Sequence, residues 1–273
     1  MKLKGLNIYP AFWDILALIA IFALCQMIIV IIAKLFGLLP DYTDFMDLEE
    51  NVTAAIKRGN AVAVVYPAGM ILSVISIILY IRQRGGALRI PSFSVKGFDP
   101  AIILMGVVWM ISTGILAEPI YEILPSADYE GVGLGGWACF NVIIAAPVLE
   151  EYLFRGVILE SFLKKYRIWL AVVISSLIFG VLHGFTGQGF TAVIMGMLFA
   201  VIYLKTKSLF ATIILHALNN AVGFLLISLH QSESSYRELM GSDIAYTVAY
   251  VVSALVWLAL GLYFVRGLNS KQK

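Results

Sequence analysis

With 273 residues, 61% of them hydrophobic and only 13% charged, the chain is too apolar for a water-soluble globular domain, which runs nearer 45–50% apolar and about 25% charged. That composition predicts an integral membrane protein, and a net charge of +2 excludes the dense basic surface of a nucleic-acid binder. Cys25 and Cys139 lie in apolar runs with no pairing or metal-ligand motif around them, so both are expected to be small buried hydrophobes.

A helix needs about 20 apolar residues to cross the hydrocarbon core. Eight spans are predicted, at roughly 11–39, 61–81, 100–124, 137–163, 168–184, 190–204, 208–229 and 244–265. The expected fold is therefore all-α, a polytopic membrane protein of about eight transmembrane helices enclosing a polar cavity. It is expected to form a single membrane domain over 1–273, with a motif-bearing core at about 137–229. The first apolar run is too long for the core of a cleavable signal and is expected to remain as an anchor. Near its two ends Asp14 and Lys34 are expected to snorkel to the interfaces.

Lysine and arginine alternate sharply between successive loops. Lys2, Lys4, Arg82, Arg84, Arg89, Lys96, Lys164, Lys165, Arg167, Lys205, Lys207, Arg266, Lys271 and Lys273 fall on one side, against Lys57, Arg58 and Arg237 on the other. Fourteen against three predicts both termini in the cytoplasm, and the plasma membrane as the location if the host is prokaryotic.

The acidic stretch 40–60 on the opposite side is expected to form a surface helix, and Asn51-Val52-Thr53 matches a glycosylation sequon by pattern alone. The third span closes on Glu118-Pro119-Ile120-Tyr121-Glu122, whose carboxylates sit near the outer interface and are expected to be interfacial. The following loop holds Gly131, Gly133, Gly135 and Gly136 but lacks phosphate-site spacing or basic residues.

The fourth span carries Glu150, Glu151 and Arg155 about midway along an apolar run. Each such group costs about 2.5–3.5 kcal/mol at the bilayer centre on insertion scales, so a cluster there marks a functional site by default. Pro147 removes a helical hydrogen bond to the carbonyl of Ile143 and is expected to kink the helix beside the acids. Glu151 and Arg155, four apart, can pair on one face. Glu150 is turned about 100° from Glu151 and has no cationic partner in its own helix. Glu151 and Arg155 thus read as a scaffold pair, and Glu150 as the acid available for proton transfer.

The fifth span carries Phe179 and, one turn later, His183, with Ser176, Gly180 and Gly184 as a small-residue seam that admits another helix. The sixth repeats the seam with Ala192, Gly196 and Ala200, and the seventh bears a polar stripe of Thr212, His216 and Asn220. Asn219 is offset from that stripe, and His230 falls at the outer end of the span. Counted from the cytoplasmic ends at 1.5 Å per residue, Glu150 lies at about 20 Å, His183 at about 22 Å, Asn220 at about 18 Å and His216 at about 12 Å. These depths allow all four to line one cavity.

A carboxylate base, an imidazole to hold water and an imidazole–amide pair suit acyl transfer to water. Glu150 and His183 would activate the water, and His216 and Asn220 would stabilise the oxyanion. Zinc is the rival: His183, His216 and either Glu150 or Glu151 would make a two-histidine, one-carboxylate site. No H-E-x-x-H occurs, and spacing does not define the third ligand. Both routes stay open.

The three motifs, Glu150-Glu151-x-x-Phe154-Arg155-Gly156, Phe179-x-x-x-His183 and His216-x-x-x-Asn220, resemble the signature of the CAAX protease and bacteriocin-processing family of intramembrane endopeptidases. That family includes the type II CAAX prenyl endopeptidases and prokaryotic immunity-type proteins. The resemblance implies an eight-helix membrane fold that hydrolyses a peptide bond in a membrane-associated protein or peptide. It further implies Glu150 with His183 on the water, and His216 with Asn220 as oxyanion donors. Glu151, Arg155 and Phe179 match motif positions in supporting roles. The family is described both as glutamate-dependent, with no cofactor, and as metal-dependent. A non-catalytic membrane regulator or immunity-type protein that binds a partner is the alternative function.

Overall fold

In the computed structural model the described residues are 9–39, 52–86, 98–121, 123–125, 132–229, 235–266 and the single positions 88, 93, 95 and 268. Their regular structure is all helix, with no strand among the described residues. Long helices run over Phe12–Leu35, Val52–Gln83, Pro100–Tyr121, Gly187–Thr206, Leu209–Ser228 and Asp243–Val265. These six are long and apolar enough to cross a membrane. The fifth predicted span forms a helix of only 15 residues, Ile168–Leu182. The fourth, residues 136–162, is helical but irregular, so among the described residues six helices meet the length and composition of a span and the expected count of about eight is not confirmed. The chain is an all-α polytopic membrane protein.

Two units make up the packing: Met1–Pro91 with Glu130–Ala171, and Ser92–Tyr129 with Val172–Lys273. In the first, the helix Phe12–Leu35 buries only Asp14, Leu18, Cys25 and Ala33. The large apolar side chains left exposed around it, such as Leu24, Met27 and Ile31, suit contact with lipid. Its neighbour, Val52–Gln83, corrects the predicted 61–81 span. It starts nine residues earlier and takes in Lys57 and Arg58, because a helix continues past the hydrocarbon boundary wherever its backbone bonds stay satisfied. Residues 52–60, expected in a separate surface helix, are thus the first turns of a long one. The rest of that segment, with Asn51 of the sequon, lies outside the described residues, as do Glu122, Gly131 and His230.

Asp14 is a second correction. It does not snorkel: its side chain is 1% exposed. The carboxylate accepts from the Tyr80 hydroxyl at 2.6 Å, Arg84 Nε at 2.7 Å and the Ala11 amide at 2.7 Å. A carboxylate with three donors loses little by leaving water. The segment ahead of this helix is also tied down, since Lys165 Nζ and the Tyr166 hydroxyl both donate to the carbonyl of Pro10. Ser161 spends its proton on the carbonyl of Ile158, so the Tyr9 hydroxyl must be the donor in its 3.0 Å bond to Ser161. Burial raises the pKa of both Tyr9 and Tyr166, which keeps these phenols protonated as donors. Cys25 is buried as expected, whereas Cys139 is only half-buried; both are free thiols.

The second unit packs the small-residue seams as predicted. A Cβ on Gly180 would overlap Val193 and sit 2.7 Å from the carbonyl oxygen of Gly189, and one on Gly196 would lie 3.1 Å from the Ser176 side chain. The helices at 168–182 and 187–206 therefore approach to backbone distance. Thr186 caps the second of them, accepting from the Gly189 amide. Trp109 stacks on Phe264 at 5.2 Å and meets Trp257 edge-on, joining the third helix to the last. A short helix at Tyr236–Met240, absent from the predicted spans, is set by the Ser235/Glu238 capping box. Glu118 is half-buried, and its Oε1 accepts from the Arg237 amide at the start of that helix.

Candidate active site

The acids sit in the least regular helix of the chain. Residues 136–162 begin as α-helix, widen to a π segment at Asn141–Ala145 and return to α at Ala146–Glu151. They widen again at Tyr152–Leu159 before a last α turn, Glu160–Phe162. The Ala146 amide bonds to the carbonyl of Asn141, five residues back, where the first π segment ends. Pro147 stands at the start of the short α stretch that follows, so the irregularity anticipated from the proline takes the form of a π turn beside it. Glu150 and Glu151 are the last two residues of that α stretch.

Glu151, Arg155 and Glu150 all lie in the first unit and are all buried. Arg155 Nη1 donates to Glu151 Oε1 at 2.8 Å, with the two side chains 3% and 0% exposed. The scaffold pair expected from the four-residue spacing is therefore formed. Glu150 differs in its partner: the hydroxyl of Tyr66, on the helix Val52–Gln83, donates to Glu150 Oε1. The side chain of Phe154 is buried as well.

Phe179, His183, His216 and Asn220 lie in the second unit. His183 occupies the turn just past Leu182, outside the helix in which the 168–184 span placed it. Its Nδ1 is 2.7 Å from the carbonyl oxygen of Phe179. A carbonyl only accepts, so Nδ1 carries the proton and the neutral ring keeps its basic lone pair on Nε2. The Phe179 ring lies 4.3 Å from the His183 ring and 6.0 Å from that of His216, so one phenylalanine touches both imidazoles. The Phe199 ring lies 5.4 Å from that of His216. His216 is buried, Asn220 is half-buried one turn on, and Asn219 is exposed and donates to Asn220 Oδ1 at 3.4 Å. Thr212, first in the stripe, spends its hydroxyl on the carbonyl of Leu209.

Tyr66 and Phe199 escaped the sequence reading. Tyr66 carried a faint signal, a phenol inside an apolar span that must find a hydrogen-bond partner when buried. Phe199 carried none, since an aromatic in a membrane helix is ordinary packing. Among the described residues no group of three or more His, Cys, Asp and Glu side chains is arranged to hold a metal ion.

Residues 133–222, which contain Glu150, Glu151, Arg155, Phe179, His183, His216 and Asn220, match the family model described as Type II CAAX prenyl endopeptidase Rce1-like. A Bacillus subtilis (strain 168) protein named as membrane peptidase YdiL is 27% identical over 165 residues, 55% of this chain and 67% of that protein. The membrane-embedded CAAX protease MroQ of Staphylococcus aureus (strain USA300) is 42% identical over 97 residues, 32% of this chain. That match spans only 37% of the length of MroQ. No solved structure matches the chain. The resemblance read from the three motifs is borne out: the motif-bearing part of the chain matches the Rce1-like model, and both relatives are named as membrane peptidases or proteases.

Proposed function

We propose that the chain is an intramembrane endopeptidase that hydrolyses a peptide bond in a membrane-associated protein or peptide, with Glu150 activating the water. The observation that carries this reading is a buried carboxylate in a membrane helix that accepts a hydrogen bond from the hydroxyl of Tyr66. An acid retained at such a cost has a use.

In the proposed reaction Glu150 takes a proton from water as the water oxygen bonds to the scissile carbonyl carbon. His183 helps to hold that water through Nε2, the nitrogen its bond to Phe179 leaves basic. The carbonyl π electrons move to oxygen, and the resulting oxyanion accepts hydrogen bonds from His216 and the Asn220 amide, which share a face of their helix. As the oxyanion collapses, the C–N bond breaks and the protonated Glu150 returns its proton to the leaving amine. Glu151 and Arg155 hold the helix together and exchange no proton. All seven residues lie within the 133–222 match, which supports their acting in one reaction. The mechanism uses no metal step.

The decisive comparison is between the protein purified in detergent and its Glu150→Ala variant, each offered a library of membrane-proximal peptides. The parent is expected to cleave a subset and the variant none; equal cleavage by both refutes the reading. A purely binding role would tolerate both Glu150→Ala and His183→Ala in a cellular complementation test. Both termini are proposed to face the cytoplasm of a plasma membrane. A C-terminal fluorescent fusion should then fold and emit, and a C-terminal secreted-phosphatase fusion should stay inactive.

A further inference from the structure

We infer that Tyr66 is a positioning residue for Glu150, a role that rests on the peptidase reading above. Tyr66 lies 84 positions before the acid, on a helix outside the three motifs, and its hydroxyl donates to Glu150 Oε1. The next residue, Pro67, lacks an amide proton, so the helix forms no bond to the carbonyl of Ala63 beside the phenol. The Val52–Gln83 helix also packs against the Asn141–Ala145 and Ala146–Glu151 segments, so donor and acceptor stand on neighbouring walls of one unit.

The chemistry of the pair is asymmetric. A phenol, neutral and a donor at physiological pH, can fix the plane of a carboxylate without neutralising it. A donor on one oxygen selects which lone pair takes the proton from water. It also spares the acid a search among rotamers, and catalysis depends on holding such groups in a narrow geometry. A residue that merely stitched two helices together would do none of this, and an apolar side chain would serve as well.

The test uses the full-length protein and the library peptide that the parent cleaves fastest. Tyr66→Phe keeps the ring and removes only the hydroxyl. The expected result is a kcat of the folded fraction lower by roughly 10–100-fold, the range for losing a hydrogen bond to a charged group, with KM unchanged. A merely structural role would lower the thermal midpoint and leave the kcat of the folded fraction intact. Independently of turnover, 3-fluorotyrosine placed at position 66 should show a 19F resonance that moves when Glu150→Ala is introduced. An unmoved resonance, or a Tyr66→Phe protein with the parent's kcat, overturns the assignment. Failure of the parent to cleave any peptide overturns the peptidase reading and this role with it, whereas undiminished cleavage by Tyr66→Phe alone overturns only this role.

Discussion

Removing the cation from the Glu151–Arg155 pair should unfold the site, whereas removing both charges together should not. The pair is 2.8 Å apart and almost fully buried. At an effective dielectric near 20 such a contact is worth about 6 kcal/mol of Coulomb energy, against which each ion's desolvation must be set. Arg155→Leu leaves the Glu151 carboxylate buried beside a hydrocarbon, and breaking a buried pair in this way costs about 3–5 kcal/mol. For a chain of this size that is a fall in thermal midpoint of roughly 6–20 °C. The double variant Glu151→Leu/Arg155→Leu replaces the pair by packed apolar groups, and similar exchanges are neutral to stabilising. Thermal unfolding in detergent, followed by tryptophan fluorescence, is expected to show a large loss in the single variant and near-complete recovery in the double. Peptide cleavage then separates scaffold from chemistry. A double variant that folds and still cleaves agrees with a scaffold role. One that folds but cleaves nothing refutes it and moves Glu151 or Arg155 into the reaction.

Gly180→Ala should destabilise the chain by about 1–3 kcal/mol, as overpacking does, because its Cβ has no room between Val193 and the Gly189 carbonyl. Gly136→Ala, where nothing lies within 4 Å of the added carbon, is the control and should leave the thermal midpoint unchanged. Asp14→Asn removes the charge that holds Tyr80 and Arg84 and should cost roughly 1.5–3 kcal/mol, read from the same unfolding curve. Prolonged treatment with a strong zinc chelator should leave peptide cleavage intact, as follows from a glutamate-driven mechanism. Activity that is lost and then restored by added zinc would reverse that conclusion.

The helical segments and the three motifs were legible in the amino-acid order because lipid imposes a severe local rule: every backbone polar group must be satisfied within the segment. Long apolar runs therefore announce themselves, and a charge inside one stands out. Asp14 and Lys57 show where this reading fails. Each lies near the end of an apolar run, where the same residue can meet water, snorkel, or be drawn into the protein. Asp14 is drawn in by partners 66 and 70 positions away, and no local pattern encodes that.

The site divides along the same line. Helical geometry alone required Glu151 to meet Arg155, because residues four apart share a face, and the contact is formed. The spacing of Phe179 and His183 likewise placed the imidazole within reach of a carbonyl one turn back. Glu150 was marked as the acid left over, but what holds it was beyond reach of its own helix. Tyr66 and Phe199 become visible only once distant helices pack, because a tyrosine or phenylalanine in an apolar span looks the same whether it faces lipid or a buried polar side chain. The amino-acid order by itself determined which segments enter the membrane and which charges they carry there. The tertiary structure decided the company those charges keep, since a hydrogen bond between two helices depends on their packing and on neither sequence alone.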